Sequence, residues 1–356
     1  LIADEPTTSL DTHTSYEIMK ELLFLCKKFG STLILISHDI NLASAWCKKI
    51  AIMNKGYFEE YGDINTIIKN PNSKIGKKLV LSNKFVFQSS NSYEIQREVV
   101  LEVINLRYWF KLNSSIIKPK WNKALNEVSF KLFTNETLGI VGMSGSGKST
   151  LSRALTGLIN VRGGYINYLK SNNKQDTERS NKAKNIQIIF QDPFSTLNPK
   201  MTIKKILEDV YLVNNSSNRK IISHEIKSYL KKVNLPTTDD FINSYPSQLS
   251  GGQLQRISIV KALLARPTIL ICDESVNMLD AAVKIEILLL LREIQEYMNL
   301  SIIFITHDLG LAKKFCNRLL VMSNGKIVEE GKPNQIFDQP KHSITKKLLQ
   351  SSLNIT

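Results

Sequence analysis

The sequence has no hydrophobic run long enough to cross a lipid bilayer. No unbroken apolar run is longer than Ile287–Leu291, whereas a spanning helix needs roughly 20 residues. Cysteine is also scarce, and the four that occur form no C-x-x-C pair, which favours reduced, cytosolic thiols over a disulfide framework. Most lie in or beside apolar segments, so we expect buried, reduced thiols. The cysteines are Cys26, Cys47, Cys272 and Cys316.

Arginine is scarce too, although the chain has a net charge of +15. The 47 basic residues include ten arginines and therefore 37 lysines, and no arginine-rich stripe is evident. We interpret the charge as generic basicity, which supports a position beside anionic lipid more than nucleic-acid binding. A length of 356 residues with 42% hydrophobic and 22% charged residues suits a globular protein of about two domains.

Two segments of the same form, LIADEPTTSLD at the start and LICDESVNMLD near residue 270, indicate an internal repeat. Asp273 lies 269 positions after Asp4, and the same offset relates His38 to His307. No gap is needed over residues 1–80. This constant register predicts that residues 1–80 repeat the C-terminal part of the unit that ends the chain.

Buried strands alternate with helices within each unit. TILICDE and SIIFITHD are short apolar runs rich in branched residues and predict strands. Between them, Ile287, Leu291, Ile294 and Met298 have helical spacing. LLVMSNGKIVEEG predicts a hairpin around Asn324–Gly325. The alternation predicts an α/β fold, with a mostly parallel sheet covered by helices on both faces.

The domain organisation follows from the repeat. We predict that residues 1–81 are the C-terminal part of a first domain, that 82–98 are a polar linker and that 99–356 are a complete second domain. Because the first repeat has no front half before Leu1, we expect that the chain lacks the N-terminal part of a larger protein, or that it comes from a broken gene.

A glycine-rich loop follows the apolar run Leu138–Val141, and Gly142–Ser149 fits the pattern G-x-x-x-x-G-K-[ST]. Glycines let backbone N–H groups turn around phosphate oxygens, and the following helix presents its N-terminus to the same charge. We predict that Lys148 contacts the β- and γ-phosphates and that the hydroxyl of Ser149 ligates Mg²⁺; a plain surface turn is the alternative. The predicted nucleotide-binding residues here are Gly142, Ser144, Gly145, Ser146, Gly147, Lys148, Ser149 and Thr150.

Two adjacent carboxylates end the strand after this loop. We predict that Asp273 holds Mg²⁺, directly or through water, and that Glu274 is the base that polarises the attacking water. Asp4 and Glu5 occupy the same positions in the first repeat. An isolated Asp-Glu pair is as often a helix cap, but the phosphate loop upstream favours the catalytic interpretation.

The segment Leu249–Gln253 is identical to the LSGGQ signature of ATP-binding cassette (ABC) ATPases, and the order of the motifs also resembles that family. The resemblance implies a P-loop NTPase (RecA-like) ABC nucleotide-binding domain with an antiparallel β subdomain and an α-helical signature subdomain, preceded by the C-terminal part of a second such domain. It implies ATP and Mg²⁺ as ligands and ATP hydrolysis as the reaction. Ser250, Gly251, Gly252 and Gln253 open a helix and would contact the ATP bound by a facing ABC domain.

Other roles are also implied by the resemblance. Gln191 resembles the Q-loop glutamine, which ligates the metal and connects nucleotide state to the membrane partner. His307 and His38 resemble the switch histidine, and Asn277–Asp280 the D-loop. Trp109 lies where the family stacks an aromatic ring on adenine. Tyr108 and Phe110 are near alternatives, and all three rings could instead be strand core.

FQDPFSTLNPKMTIKKIL and the tail PNQIFDQPKHSITKKLLQ resemble the peptide/nickel importer group, and two units on one chain resemble its fused dipeptide, oligopeptide or glutathione ATPases. The resemblance implies peptide uptake through separate integral membrane permease subunits with a solute-binding protein. It also implies a second ABC domain in the same full-length chain or a homodimer, no nucleic acid, and a peripheral place at the cytoplasmic face of the inner membrane. Alternatives are a nickel importer, a soluble ribosome- or DNA-acting ABC protein, and a degenerate module without turnover.

Several positions depart from the family pattern. Ser275 stands where proline is usual, and Asn277–Met278 replace a Ser-Ala-like pair. Ser343–Ile344 stand where the group has Pro-Tyr. Asn135 replaces a glycine, and because asparagine tolerates the left-handed conformation well, we expect positive φ there.

Overall fold

A computed structural model describes residues 1–7, 10, 12–37, 39–84, 98–112, 120–170, 174–175, 185–214, 219–276, 279 and 281–353. The strands are β1 (Ile2–Asp4), β2 (Ile34–Ile36), β3 (Lys49–Asn54), β4 (Tyr57–Asp63), β5 (Val99–Leu112), β6 (Lys120–Phe133), β7 (Thr137–Val141), β8 (Gly163–Lys170), β9 (Lys174–Gln175), β10 (Ile186–Ile189), β11 (Ile269–Asp273), β12 (Ser301–Ile305), β13 (Arg318–Ser323) and β14 (Lys326–Gly331).

The helices are α1 (Thr12–Lys28), α2 (Ile40–Trp46), α3 (Ile64–Lys69), α4 (Lys74–Lys84), α5 (Lys148–Leu155), α6 (Pro193–Thr196), α7 (Ile203–Asn214), α8 (Arg219–Lys232), α9 (Asp239–Ile242), α10 (Gly251–Leu263), α11 (Ala281–Met298), α12 (Leu309–Phe315), α13 (Pro333–Asp338) and α14 (Ser343–Leu353), with a 3-10 turn at Pro246–Gln248. We call residues 1–84 the first unit and residues 98–353 the second unit. Within the described part of the chain, no helix has the length and apolar character needed to span a membrane.

A six-stranded sheet forms the centre of the second unit, in the order β10-β11-β12-β7-β13-β14. Five strands are parallel, and β14 runs antiparallel to β13. Strands β7, β11 and β12 are buried along their whole length, because helices cover parallel strands on both faces. The predicted α/β class is confirmed.

A second, antiparallel sheet lies beside the first, in the order β6-β5-β8-β9. Its inner face shares a core with α5, in which Leu125 and Val128 of β6 and Leu151 and Leu155 of α5 are fully buried. This packing holds α5 between the two sheets and so determines where the loop before α5 can lie. The antiparallel subdomain expected from the family resemblance is confirmed.

Helices α6–α10 follow β10 and precede β11 in the sequence, and they form a separate helical layer. Helix α10 packs against α6, α7, α8 and β10, and its apolar side chains, among them Leu254 and Ile257, join a core with Leu207 of α7 and Leu230 of α8. This layer is the helical subdomain that the resemblance predicted, and it presents the start of α10 at its surface.

The turns carry the backbone conformations expected from their residues. Asn135, between β6 and β7, has φ of 53°, as predicted for its left-handed position. Asn324 and Gly325, between β13 and β14, have φ of 47° and 74°, which suits a two-residue hairpin turn. The buried carboxylate of Glu136 accepts hydrogen bonds from Arg318 at 2.8 and 3.0 Å and thereby connects β13 to this corner.

The thiols are free and mostly buried, as expected. Cys26, Cys272 and Cys316 are buried and Cys47 is half-buried. Burial raises the pKa of Cys272 to about 12 and raises the pKa of Cys316. These thiols therefore remain protonated and unreactive at neutral pH.

The first unit repeats part of the second. Its parallel pair β1–β2 and antiparallel pair β3–β4 correspond, at the 269-residue offset, to β11–β12 and β13–β14. In the second unit β7 joins these pairs into one sheet, whereas no described strand of the first unit lies between β2 and β3. Ile34 and Ile36 of β2 are accordingly 56% and 49% exposed, while the equivalent Ile303 and Ile305 are buried.

Helix packing between the units is reciprocal. Helix α1 packs against α14, and α4 packs against α11. Because α11 is the equivalent of α1 and α14 is the equivalent of α4, each unit contributes the same two helices, as in an isologous contact.

The predicted domain boundaries stay predictions, and most of the linker (85–97) lies outside the described residues.

Candidate functional site

The glycine-rich loop connects β7 to α5 at the carboxyl edge of the central sheet. Gly147 has φ of 106° and caps α5. A Cβ on Gly147 would lie 2.3 Å from the carbonyl oxygen of Ala124, and one on Gly142 would lie 2.3 Å from that of Met322. These two positions therefore require glycine for packing as well as for their backbone conformation.

Lys148 is the first residue of α5, and its side chain folds back into the glycine-rich loop. Its ammonium group donates hydrogen bonds to the carbonyl oxygens of Gly142 at 2.8 Å and Met143 at 3.1 Å. The N–H groups in the first turn of α5 have no intrahelical acceptor, and they carry the positive end of the helix dipole. The loop thus combines a cation and backbone donors at one point, which is the chemistry of a phosphate site.

The remaining loop residues differ in exposure. Ser144, Gly145 and Ser149 are exposed and Thr150 is half-buried. Ser146 is buried, and its Oγ has no hydrogen-bond partner among the described residues. The exposed residues form the mouth of the loop, so a ligand can reach their backbone and hydroxyl groups.

The acidic pair and the histidine meet where β11 and β12 end. Asp273 is the last residue of β11, and the backbone N–H of Glu274 donates to the carbonyl oxygen of Ile305 at 2.9 Å. Glu274 has φ of 50°. Its carboxylate Oε1 lies 3.5 Å from Nδ1 of His307, and each side chain is 18% exposed. The structure therefore brings the predicted base and switch histidine together in a partly desolvated position.

Asp273 is held by a residue that the sequence analysis did not identify. Its Oδ2 accepts a hydrogen bond of 2.6 Å from the hydroxyl of Ser152 on α5. Burial raises the pKa of Asp273, and the charge of Glu274 acts in the same direction, whereas the bond from Ser152 and the charge of Lys148 lower it. The net effect disfavours the charged carboxylate in spite of Lys148, so a bound divalent cation would favour the charged form.

The donor set fits Mg²⁺. Oδ1 of Asp273 is buried without a hydrogen-bond partner among the described residues, and such an oxygen beside a phosphate loop suits a hard cation. Gln191 follows β10, whose Ile189 pairs with Cys272, so it lies at the same sheet edge. Asp273, Ser149 and Gln191 are the residues that would hold the ion.

The signature residues form a helix N-terminus of their own. Ser250 Oγ accepts a hydrogen bond from the N–H of Gln253 at 3.3 Å, and Oε1 of Gln253 accepts one from the N–H of Ser250 at 2.9 Å. This capping box leaves the N–H groups of Gly251 and Gly252 for an incoming anion. Helix α10 packs on the helical layer and α5 packs on β6 and β11, so the two N-termini belong to different parts of the unit.

A lysine joins the signature helix to the segment after Gln191. Nζ of Lys261 on α10 donates to the carbonyl oxygen of Thr196 on α6 at 3.0 Å. Burial lowers the pKa of Lys261. The sequence analysis did not single out this residue, because lysine at helical spacing usually marks a solvated face.

Tyr108, Trp109 and Phe110 are consecutive residues of β5 and differ in their surroundings. Tyr108 packs against the core and meets Phe110 edge to face at 4.9 Å between ring centroids. Trp109 has its ring 5.9 Å from Nζ of Lys123. Phe110 is 42% exposed. Stacking of Trp109 on adenine stays a prediction, with Phe110 as the more accessible alternative.

The first unit repeats the backbone of the acidic pair. Asp4 ends β1, and the N–H of Glu5, whose φ is 46°, donates to the carbonyl oxygen of Ile36 at 3.0 Å. Asp4 is exposed, unlike Asp273. His38 and residues 277, 278 and 280 of the expected D-loop lie outside the described residues.

We compared the sequence and the fold with those of known proteins. The ABC transporter family profile matches residues 125–277. The oligopeptide transport ATP-binding protein OppF of Haemophilus influenzae is 39% identical over 72% of this chain and 78% of the relative. The chain belongs to the ATP-binding proteins of ABC transporters. Among solved structures, this ABC protein is similar to CbiO1 of Clostridium perfringens, with a TM-score of 0.56 and 28% identity over 68% of this chain and 92% of that one.

Two longer relatives match almost all of this ABC protein. The peptidoglycan transport ATP-binding protein YejF of Agrobacterium fabrum is 31% identical over 100% of the chain, and the glutathione import ATP-binding protein GsiA of Pectobacterium atrosepticum is 30% identical over 99% of it. The chain spans 65% and 60% of the lengths of these two relatives.

Proposed function

We propose that this ABC protein is the ATP-hydrolysing subunit of an importer and powers uptake of peptides, of the dipeptide, oligopeptide or glutathione type. The observation that carries the proposal is the meeting of Lys148, Asp273, Glu274 and His307 at one edge of the sheet. The names of the relatives, which include oligopeptide and glutathione transport, support the peptide class of cargo. The intact set of residues in the second unit supports turnover over a degenerate module.

Each residue has a definite task in this reaction. Lys148 and the N–H groups of α5 hold the β- and γ-phosphates, and Glu274 accepts a proton from the attacking water at its carboxylate. His307, 3.5 Å from Glu274, orients that carboxylate. Bound Mg²⁺ supplies positive charge to the phosphate oxygens. Gln191 follows β10 at the same sheet edge as Asp273 and reports the occupancy of the site to the membrane partner.

The proposal includes partners. Integral membrane permease subunits and a solute-binding protein supply the transport path, and a second ABC domain supplies the facing signature. The near-complete coverage of the chain by two relatives supports the assignment of residues 1–81 to a first ABC domain. The protein would then act at the cytoplasmic face of the inner membrane, without nucleic acid.

The variant Glu274→Gln tests the central role. We expect it to bind ATP as the unchanged protein does and to lose at least about 100-fold in ATP turnover, because the amide cannot accept the proton. ATP binding and phosphate release are the measurements. Glu296→Gln, an exposed carboxylate on α11, is the matched control. Undiminished phosphate release by Glu274→Gln would remove Glu274 from its role.

A further inference from the structure

Ser152 makes a contact that connects the phosphate loop to the acidic pair. It is fully buried on α5, one turn after Ser149. Its Oγ lies 2.6 Å from Oδ2 of Asp273 and 3.0 Å from the carbonyl oxygen of Ser149. A hydroxyl has one proton. The carboxylate oxygen is nearer and charged, so it is the favoured acceptor.

This bond sets which oxygen of Asp273 is available. Oδ2 is occupied by Ser152, and Oδ1 has no partner among the described residues. A carboxylate on a short side chain rotates about χ2 unless one oxygen is held. The bond also spans 121 positions of sequence, so it joins the helix that carries Ser149 to the strand that carries Asp273.

We propose that Ser152 is a positioning residue that holds Asp273 so that Oδ1 faces the metal of the magnesium–nucleotide complex. The inference rests on the proposed function and adds a residue outside the G-x-x-x-x-G-K-[ST] pattern. Ser152 orients a ligand without touching the metal. Partners that orient a metal ligand in this way typically contribute 10- to 100-fold to metal affinity.

The experiment measures metal dependence directly, on the full chain. Binding of a fluorescent ATP analogue is titrated with Mg²⁺, and Mn²⁺ with ATP is followed by electron paramagnetic resonance. For Ser152→Ala we expect about a tenfold higher metal concentration at half-saturation, with metal-free nucleotide affinity unchanged. Ser258→Ala removes another buried hydroxyl, which has no partner among the described residues, and is expected to change neither quantity.

Further variants separate positioning from a structural role. Ser152→Thr restores the hydroxyl and should return the metal requirement toward that of the unchanged protein. In an Asp273→Asn background, Ser152→Ala should have no additional effect on metal binding. Alanine is the best helix former, so the fold should survive; if it does not, Ser152→Cys, with a weaker donor, should raise the metal requirement.

The outcomes are distinct. An unchanged metal requirement in Ser152→Ala, or in Ser152→Cys where the alanine variant unfolds, overturns the inference. An equal loss of metal-free nucleotide affinity also overturns it, because that loss indicates a distorted loop. If the unchanged protein binds no nucleotide with or without metal, the proposed function fails, whatever the variants do.

Discussion

Glu274 has a left-handed backbone conformation, which is uncommon for glutamate. The equivalent Glu5 shares it, with φ of 46° against 50°, and each N–H bonds to the last residue of the neighbouring strand. Such a residue costs about 1 kcal/mol or more relative to a relaxed one. Both units therefore keep the same strained turn, which in the second unit directs the carboxylate toward His307.

Burial of the Asp273 carboxylate lowers the free energy of unfolding of the protein at neutral pH. Since burial raises its pKa in the folded state, the folded protein keeps the proton to a higher pH than the unfolded chain. The destabilisation is absent below the ordinary pKa of 3.8, grows as the pH rises through the raised value, and is complete above it. The proposed role of Asp273 as a ligand of Mg²⁺ would account for a carboxylate in this buried position.

The variant Asp273→Asn should therefore be more stable than the unchanged protein in the absence of metal and nucleotide. We expect a gain on the order of 1 kcal/mol in the free energy of unfolding at neutral pH, shrinking as the pH falls toward the ordinary pKa of 3.8. Urea unfolding in a chelator measures it. Asp240→Asn, at an exposed carboxylate, should give no gain. A stability loss in Asp273→Asn at neutral pH would contradict the electrostatic account.

At the scale of elements, short turns hold the sheets in register. Asn135 lies between β6 and β7, and its backbone N–H donates to Oγ of Ser301 at 3.1 Å. We expect Asn135→Ala to lower the free energy of unfolding by about 1 kcal/mol, because alanine disfavours the left-handed region. Asn135→Gly keeps the same hydrogen bond and should match or exceed the unchanged protein. Equal unfolding midpoints for the two variants would show that φ does not matter here.

The sequence predicted those strands and helices whose apolar residues follow a clear pattern. Strands β7, β11 and β12 are mostly apolar runs, and Ile287, Leu291, Ile294 and Met298 of α11 have helical spacing. Ser152 and Lys261 were missed for a common reason. Their partners are distant in sequence, 121 positions for Ser152 and 65 for Lys261, and no local pattern encodes such contacts.

At the scale of the whole molecule, the two helix N-termini of the second unit that we predict to bind phosphate, those of α5 and α10, lie in different subdomains. The family resemblance implies that a complete site takes its phosphate loop from one domain and its signature from another. In two identical copies facing head to tail, Lys148 of one copy would serve with Ser250 of the other. This arrangement is a prediction, since it requires a second domain.

Mixing two inactive variants tests it. We expect Lys148→Ala and Ser250→Glu to be inactive alone, since one loses the phosphate cation and the other adds a negative charge. Equal amounts mixed should recover about a quarter of the unchanged ATP turnover, because half of the pairs would contain one intact site of two. Phosphate release is the measurement. Absence of recovery, with mixed pairs demonstrated by light scattering, would argue against composite sites.

The sequence by itself determined the class of fold, the phosphate loop, the acidic pair and the repeat at 269 positions, because each depends on residues close together in the chain or on a constant register. Only the tertiary structure decided that Glu274 meets His307, that Ser152 holds Asp273 and that α1 and α4 pack on α14 and α11. Those contacts join segments far apart in sequence. They form only when the chain has folded and brought these segments together, and at the sheet edge burial then determines which polar atoms remain for a ligand.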